Sequence, residues 1–179
     1  QANTAVFIQC VGSRIPDRPY CSKVCCTQSI KSALKLKEIN PGMDVFILYR
    51  DLRPYGLRED LYRQARGAGI VFIRYDSDMG LTAVFEDDVL KISFSDRILG
   101  RTMDINPDLL VLASAIIPDS GSGLPQLYKV PLNDDGFFSE AHVKLRPVDF
   151  ATDGVFVCGL AHAPKTIDES ITQAQAAAA

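Results

Sequence analysis

Four of the five cysteines in the sequence lie within seventeen residues of each other, at Cys10, Cys21, Cys25 and Cys26. Thiolates are soft metal ligands and redox nucleophiles, so a group of this density predicts metal or redox chemistry. The neighbours Cys25 and Cys26 could bridge to each other only under strain. An odd, clustered set is untypical of a secreted disulfide framework, and we therefore expect a reducing compartment, the cytoplasm.

The spacing of these cysteines, C-x10-C-x3-C-C, has four readings. A [4Fe-4S] cluster takes four thiolates at irregular spacing. Structural zinc also takes four, but usually as two C-x2-4-C pairs, which are missing here. A redox dithiol leaves two cysteines unexplained, and four buried cysteines could act simply as small apolar side chains. The spacing favours iron–sulfur and leaves the other three open.

A strand before the cysteines and a helix after them must position these thiols. Residues 5–9 are apolar and predict a buried strand that ends at the first cysteine. Helical periodicity runs from residue 22 or 24 to residue 39. If the helix has begun by Cys21, then Cys21 and Cys25 share a face, whereas Cys26 points elsewhere. The partial positive charge of the helix N-terminus would favour thiolates there.

The chain continues with a β-α-β-α-β order. Residues 44–50 and 70–75 are apolar runs without alternation, as expected for parallel strands covered on both faces. Residues 57–67 between them are predicted to be helical. Runs at 81–85, 89–94 and 97–103 alternate apolar and polar residues and predict an antiparallel meander.

The last third of the sequence is more irregular. Residues 109–117 predict a returning buried strand, and residues 119–125 predict a mobile loop. One more strand is expected around residues 145–147 and 154–158. A final helix begins at Thr166, where Glu169 completes a capping box.

This order predicts an α/β fold, with a Rossmann-like three-layer domain that combines a parallel sheet with a β-meander. It is the layout of nucleotide-binding domains in disulfide-reductase flavoproteins. We expect a nucleotide-binding-like domain with the cysteines over residues 1–129, and a C-terminal return segment of a split FAD domain over residues 130–179. Both ends look cut, so the chain is expected to be a fragment of a longer protein.

Charge and glycine content exclude several function classes. The net charge of −3 gives no indication of nucleic acid or an anionic membrane as partner, and no apolar run could span a bilayer. The first β-α turn, Val11-Gly12-Ser13-Arg14, has one glycine where a dinucleotide site needs three, so a nicotinamide nucleotide is not expected there. Arg50 and Arg53 could contact a phosphate, although solvated loop arginines are the simpler explanation.

Several motifs together resemble the A subunit of heterodisulfide reductase and its relatives, among them the A subunit of the quinone-interacting oxidoreductase of sulfate reducers. The motifs are IQCVGSR at 8–14, YCSKVCC at 20–26, LYRD at 48–51 with Tyr55-Gly56, DGVF at 153–156 and GLAHAPK at 159–165. The resemblance covers nearly the whole chain. It implies a thioredoxin-reductase-like fold and an oxidoreductase that carries FAD and [4Fe-4S] clusters and transfers electrons in anaerobic energy metabolism.

The resemblance also implies roles for individual residues. The ligands of one [4Fe-4S] cluster would be Cys10, Cys21, Cys25 and Cys26. The residues near FAD would be Gly159, Leu160, Ala161, Lys165, Thr166 and Ile167. No residue is assigned a catalytic role. Leu160 stands where common flavoprotein reductases have an acidic residue for the ribityl chain, and the first FAD pyrophosphate motif is missing, so this chain alone is not expected to retain the flavin.

The expected partners are other subunits of an electron-transfer complex, with a homodimer as a further option. The alternative function is a non-catalytic scaffold with a structural zinc or an empty cysteine site. Two single residues complete the predictions. Cys158 is expected in the core rather than as a ligand, and His162 lies by the flavin edge, where a local hydrogen bond is its simplest role.

Overall fold

The computed structural model describes residues 2–76, 79–119 and 121–179. The strands are β1 (Thr4–Val11), β2 (Asp44–Tyr49), β3 (Val71–Arg74), β4 (Leu81–Glu86), β5 (Val89–Asp96), β6 (Arg101–Ile105) and β7 (Leu109–Ser114). The helices are α1 (Cys25–Ile39), α2 (Glu59–Gly67), α3 (Leu124–Tyr128) and α4 (Ile167–Ala178). Two compact units result, one formed by residues 1–11 and 25–114 and the other by residues 12–24 and 115–179.

A four-stranded parallel sheet with the order β3-β2-β1-β7 is the centre of the first unit. The six interior residues of β1 are all buried, which explains why its sequence is apolar without alternation. One face of β1 presents Ala5 and Phe7 to a core that includes Ile30 of α1 and Ala65 of α2. The parallel sheet and its covering helices confirm the predicted α/β fold.

The meander β4-β5-β6 covers the other face of the sheet. Its strands are antiparallel, and Ile92 and Phe94 of β5 pack in one core with Val6 and Ile8 of β1. The first unit therefore has three layers, helices, parallel sheet and meander. This confirms the predicted three-layer domain with a parallel sheet and a β-meander.

The second unit contains α3, α4 and a 3-10 turn at Gly159–Ala161, connected by irregular chain. Its small core is formed by Val130, Phe150 and Val157, with Phe138 and Val155 against it. The extra strand predicted around residues 145–158 is wrong. Those residues form only isolated bridges, such as the one between Asp149 and Phe156, because a strand needs a long partner edge and the described part of this unit offers none.

Smaller differences concern the termini of elements. Helix α1 begins at Cys25, one to three residues later than predicted. Helix α3 begins at Leu124 and so includes the last two residues of the stretch 119–125, which was predicted as a loop. Ser120 of that stretch lies outside the described residues. Among the described residues, no helix is both long and apolar enough to cross a membrane.

Candidate functional site

Cys10 lies at a β-bulge near the end of β1. The pairing with β7 passes from Ile8 opposite Leu112 to Val11 opposite Ser114, so β1 has one residue more than its partner over this interval. Cys10 has a φ of 62°, a left-handed conformation that is uncommon outside glycine, and it is buried. Bulges of this kind turn a side chain away from the regular alternation of a strand.

Cys25 and Cys26 are the first two residues of α1, and both are buried. The first turn of the helix has no acidic residue that would offset the partial positive charge of its N-terminus. Three of the four predicted ligands, Cys10 and this pair, therefore belong to the first unit.

Cys21 belongs to the second unit and precedes α1. The prediction that Cys21 and Cys25 share a helical face is wrong, because the helix has not begun at Cys21. The Cys21 Sγ atom instead accepts a hydrogen bond from the backbone N–H of Lys23 at 3.3 Å. Lys23 has a φ of 66°, which bends the chain just before the helix.

The loop that carries Cys21 is fixed on both sides of that residue. The Tyr20 hydroxyl donates to the backbone oxygen of Ile116 at 3.0 Å, and its ring packs edge-on against Phe137. Ser22 is fully buried, and its Oγ atom accepts the N–H of Ile116 at 2.9 Å. Cys21 is thus held by partners more than ninety residues later in the chain.

The predicted flavin residues form one continuous turn and helix start in the second unit. Gly159 has a φ of 66°, which a side chain would strain, and it opens the 3-10 turn that contains Leu160 and Ala161. Leu160 and Ile167 are largely exposed. Thr166 is the N-cap of α4, as predicted.

Glu169 connects this helix start to the cysteine loop. Its Oε2 atom accepts the backbone N–H of Thr166 at 2.9 Å, and the predicted capping box is confirmed. Its Oε1 atom accepts from Lys23 Nζ at 2.6 Å. Burial, and to a smaller extent the Lys23 cation, lowers the pKa of the neighbouring Lys165. The Thr166 amide is therefore already bound within the cap of α4.

A hydrogen-bond network holds the Gly159 turn against α4. The Gly159 N–H donates to Gln173 Oε1 at 2.9 Å, so the Gln173 amide nitrogen must donate to His162 Nδ1, 2.7 Å away. The other ring nitrogen, Nε2, then carries the proton and donates to Glu140 Oε2 at 2.7 Å. His162 therefore has the local hydrogen bonds that were its simplest predicted role. The roles of Glu140 and Gln173 were not predicted. Glu140 lies 22 residues from His162 and Gln173 lies 11 residues from it, and no local sequence pattern connects these positions.

Glu140 gives this network a pH dependence. Its own backbone N–H and the His162 side chain lower the pKa of Glu140 below 4.5. The ionised carboxylate therefore stabilises the fold fully above about pH 4.5. This stabilisation is lost as the pH falls through the lower pKa that Glu140 has in the folded protein. We expect Glu140→Gln to flatten the acid limb of a plot of melting temperature against pH, measured by circular dichroism. Glu38→Gln, in an exposed pair with Lys35, should leave that limb unchanged; equal curves for both variants would contradict the role of Glu140.

The arrangement of the thiols bears on the kind of metal group that they could hold. None of the five cysteines forms a disulfide. Within residues 2–76, 79–119 and 121–179, no three cysteine, histidine or acidic side chains gather closely enough to hold one metal ion. Around a single zinc ion, the ligand sulfurs lie about 3.8 Å apart. In a cubane cluster each iron takes its own thiolate, so the ligand sulfurs lie further apart.

Gln9, the residue before Cys10, supports the fit of an iron–sulfur cluster. Its side chain is 1% exposed, and neither its Nε2 nor its Oε1 atom has a hydrogen-bond partner in the described part of the chain. A buried, unsatisfied amide is costly, and it is ordinarily explained by a group that accepts its N–H. Cluster and cysteine sulfurs are such acceptors. Within the first unit, the thiols of Cys10, Cys25 and Cys26 together with this amide are the kinds of donor that a [4Fe-4S] cluster takes.

Cys158 was predicted to lie in the core, and that prediction is wrong. It is exposed and lines an apolar groove of about 330 Å³ in the second unit, with Tyr128, Phe138 and Phe156 among the other walls. The strand expected at this position does not form, so no sheet covers the thiol.

Comparison with known proteins places these features in a family context. No protein-family model matches the chain. Curated relatives include an iron-sulfur A subunit (number 2) of the CoB--CoM heterodisulfide reductase of Methanopyrus kandleri, 41% identical over 97% of the chain and 27% of the relative. A protein of Archaeoglobus profundus named as like the A subunit of heterodisulfide reductase is 39% identical over 97% of the chain and 25% of the relative. The chain thus spans about a quarter of the length of these relatives.

Solved structures show the same fold in flavoproteins. Thioredoxin reductase of T. acidophilum superposes with a TM-score of 0.64 at 15% identity, over 98% of the chain and 50% of the neighbour. The flavoprotein disulfide reductase RclA from Escherichia coli gives 0.61 at 12% identity, over 98% and 35%. Along nearly its whole length, the chain is therefore homologous to about a quarter of the A subunit of heterodisulfide reductase, and its fold is that of the thioredoxin-reductase-like FAD proteins.

Proposed function

We propose that this chain is the electron-transferring portion of an oxidoreductase that resembles the A subunit of heterodisulfide reductase. In this proposal Cys10, Cys21, Cys25 and Cys26 bind one [4Fe-4S] cluster, and the segment 159–167 contacts FAD. The name of the Methanopyrus relative, which includes the term iron-sulfur, and the fold of the flavoprotein neighbours both support it.

The observation that carries the proposal is the link through Glu169. In the second unit, Lys23, two residues after Cys21, forms an ion pair with the residue that caps the helix of the proposed flavin segment. A relay requires its two carriers to be held in a fixed relation. Within the second unit, a hydrogen-bonded path of one lysine and one glutamate joins the Cys21 loop to that segment, which supports the proposal.

The side chains of the chain would bind and orient the two groups rather than react. When bound, a [4Fe-4S] cluster passes electrons singly, and a flavin exchanges them in pairs. The Gly159 turn, held by Gln173, would shape the flavin side. Lys165, just before α4, would place positive charge where reduced flavin accumulates negative charge, whereas Asp168 and Glu169 offset the positive N-terminus of the helix itself.

The proposal also covers the domain division, the partner chains and the cellular setting of the protein. We propose that residues 130–179 are the C-terminal part of a split FAD domain and that residues 1–129 are the nucleotide-binding-like part. The relatives are named as subunits, which supports partner chains in an electron-transfer complex. A homodimer and a cytoplasmic, anaerobic setting belong to the proposal as well.

Anaerobic purification of the full-length protein tests the proposal. We expect a broad absorption band near about 400 nm, about four iron and four sulfide per cluster, and an EPR signal after reduction, as for a [4Fe-4S] cluster. Flavin should copurify. Stoichiometric zinc without iron would instead support a structural scaffold and end the electron-transfer proposal.

Replacement of Gln9 provides a second test, because we expect it to stabilise the metal-free protein and to change the redox potential of the cluster in the loaded protein. In the metal-free protein, Gln9→Leu removes an unsatisfied buried amide and should raise the free energy of unfolding by about 1 kcal/mol. In the loaded protein it removes an N–H donor to sulfur, so the cluster potential, measured by redox-monitored EPR, should become more negative. Gln28→Leu, on the exposed side of α1, is the control. An unchanged potential together with a destabilised metal-free protein would contradict this role.

A further inference from the structure

A chain of three hydrogen bonds in the second unit joins a carboxylate to the Gly159 turn. The Nε2 atom of His162 lies 2.7 Å from Glu140 Oε2, and its Nδ1 atom lies 2.7 Å from the Gln173 amide nitrogen. The Gln173 oxygen accepts the Gly159 N–H at 2.9 Å. The side chains of His162 and Glu140 are only 19% and 16% exposed. Water is therefore a poor substitute for any of these partners.

The two ends of this chain fix the direction in which every hydrogen bond is donated. The backbone N–H of Gly159 can only donate, so Gln173 presents its oxygen to Gly159 and its NH2 group to the ring. At the other end, the Glu140 backbone N–H and the His162 side chain lower the pKa of Glu140 below 4.5, so its ionised carboxylate only accepts above that pH. The one ring form that satisfies both ends is neutral, with its proton on Nε2.

A second proton on the ring breaks this chain at one defined place. An imidazolium ion donates from both nitrogens. The Nε2 bond to Glu140 is unaffected, but a new Nδ1–H would face the NH2 group of Gln173, and two donors cannot bond to each other. Gln173 removes the conflict when its amide rotates or its side chain moves away. Either movement takes the acceptor oxygen from the Gly159 N–H, so protonation of His162 is transmitted to the backbone of the turn.

The turn itself survives the loss of this contact. The N–H of His162 donates to the Gly159 oxygen at 3.1 Å, and the N–H of Phe138 donates to the Ala161 oxygen at 3.0 Å. Neither bond involves Gln173 or a titratable side chain. Loss of the Gly159–Gln173 bond therefore frees the turn from α4 without unfolding it.

Other charged groups lie near this ring. Lys165 acts electrostatically on Glu140, and burial is the main cause that lowers the pKa of Lys165. On α4, which packs against the turn, Asp168 and Glu169 are in the first helical turn. Histidine is the side chain that ordinarily changes its charge between about pH 5 and about pH 8. A variant that replaces only His162 leaves all the other groups in place and so separates their effects from its own.

We propose that protonation of His162 at Nδ1 releases the Gly159 turn from α4 and thereby weakens flavin binding at the segment 159–167. A turn that is already ordered binds a ligand more tightly than one that must be ordered on binding. One net hydrogen bond changes such an equilibrium about fivefold. The release of the turn stands on the geometry alone, whereas the effect on flavin rests on the proposed function. The two parts are therefore tested separately.

Amide hydrogen exchange of the flavin-free, full-length protein tests the release of the turn. Protection of the Gly159 amide, corrected for the intrinsic pH dependence of exchange, should fall about fivefold or more from about pH 8 to about pH 5. His162→Gln should abolish this fall. The matched control is His142→Gln, because His142 is the other histidine of the sequence and accepts only the local N–H groups of Lys144 and Leu145. It should keep the fall.

Two results of this exchange experiment would overturn the proposal. One is equal protection at both pH values in the unaltered protein. The other is an unchanged fall in His162→Gln, which would assign the effect to another group such as Lys165. Gln173→Leu provides a further check, since it removes the acceptor and should leave the Gly159 amide poorly protected at both pH values. Full protection in Gln173→Leu would contradict the chain of hydrogen bonds.

Titration of the full-length protein with FAD tests the second part. The affinity should be about fivefold weaker at about pH 5 than at about pH 8 in the unaltered protein and in His142→Gln, and equal at both pH values in His162→Gln. Equal affinities in the unaltered protein would overturn the effect on flavin. A complete lack of FAD binding at about pH 8 would instead contradict the proposed function, and the exchange experiment alone would then decide whether the turn is released.

Discussion

Replacing Cys25 with serine is expected to remove at least about nine tenths of the iron and sulfide from anaerobically purified protein. Cys25 is buried at the first position of α1, so a side chain from the protein surface cannot take its place as a ligand. A serine hydroxyl is a harder and far less acidic ligand than a thiol, and the three remaining thiolates leave one iron of a cubane without its protein ligand. The absorption band near about 400 nm and the EPR signal should disappear together.

Cys158→Ser is the matched control for this experiment. Cys158 is the fifth cysteine of the chain, is exposed, and has no place in the proposed ligand set. Its replacement should leave iron, sulfide and the EPR signal at their original levels. Because serine and cysteine side chains differ little in size, circular dichroism of the two metal-free variants should be the same. Full iron content in Cys25→Ser would contradict the assignment of this ligand.

Truncation of Phe7 to alanine is expected to have the largest effect on stability. Phe7 is 1% exposed on the central strand β1 and contributes to the core beneath α1 and α2. A buried Phe→Ala change costs about 3–5 kcal/mol, because the transfer free energy is lost and a cavity remains. That is a large part of the roughly 5–15 kcal/mol by which a domain is stable.

Amide hydrogen exchange provides the measurement, because it reports on β1 and β2 separately from the second unit. Protection in these strands should fall by an amount that corresponds to the lost free energy. Phe85→Ala is the control, since Phe85 on β4 is 75% exposed and its truncation should change stability by less than about 0.5 kcal/mol. Similar losses for both variants would mean that β1 is not the centre of the core.

Much of the first unit could be predicted from local sequence. The apolar runs of β1 and β2 predict parallel strands because both of their faces are covered, and the alternation around Ile92 predicts a meander because one face is covered. Thr166 and Glu169 specify a helix start through side-chain chemistry within four residues. In each case, the information that specifies the element lies within the element itself.

Other features depend on partners far away in the chain. Cys158 lies in an apolar run that resembles a buried strand, but a strand forms only where an edge is available to pair with it. Cys21 carries no local sign that its loop is held by residues almost a hundred positions later. The network of Glu140, His162 and Gln173 is also assembled by the fold, so polar side chains at unrelated spacing become neighbours.

The anchoring of the Cys21 loop also sets an order of events during synthesis. Tyr20 and Ser22 are held by Ile116, and Lys23 by Glu169, which is 146 residues later. At about 5–20 residues per second, a ribosome needs roughly 5–20 s after Tyr20 to produce the first of these anchors. During that interval Cys21 is carried on a loop without its anchors, although β1 and α1 on either side have already been made. A cluster on these four cysteines would therefore be completed only after Ile116 has been made, well after the last of its cysteines.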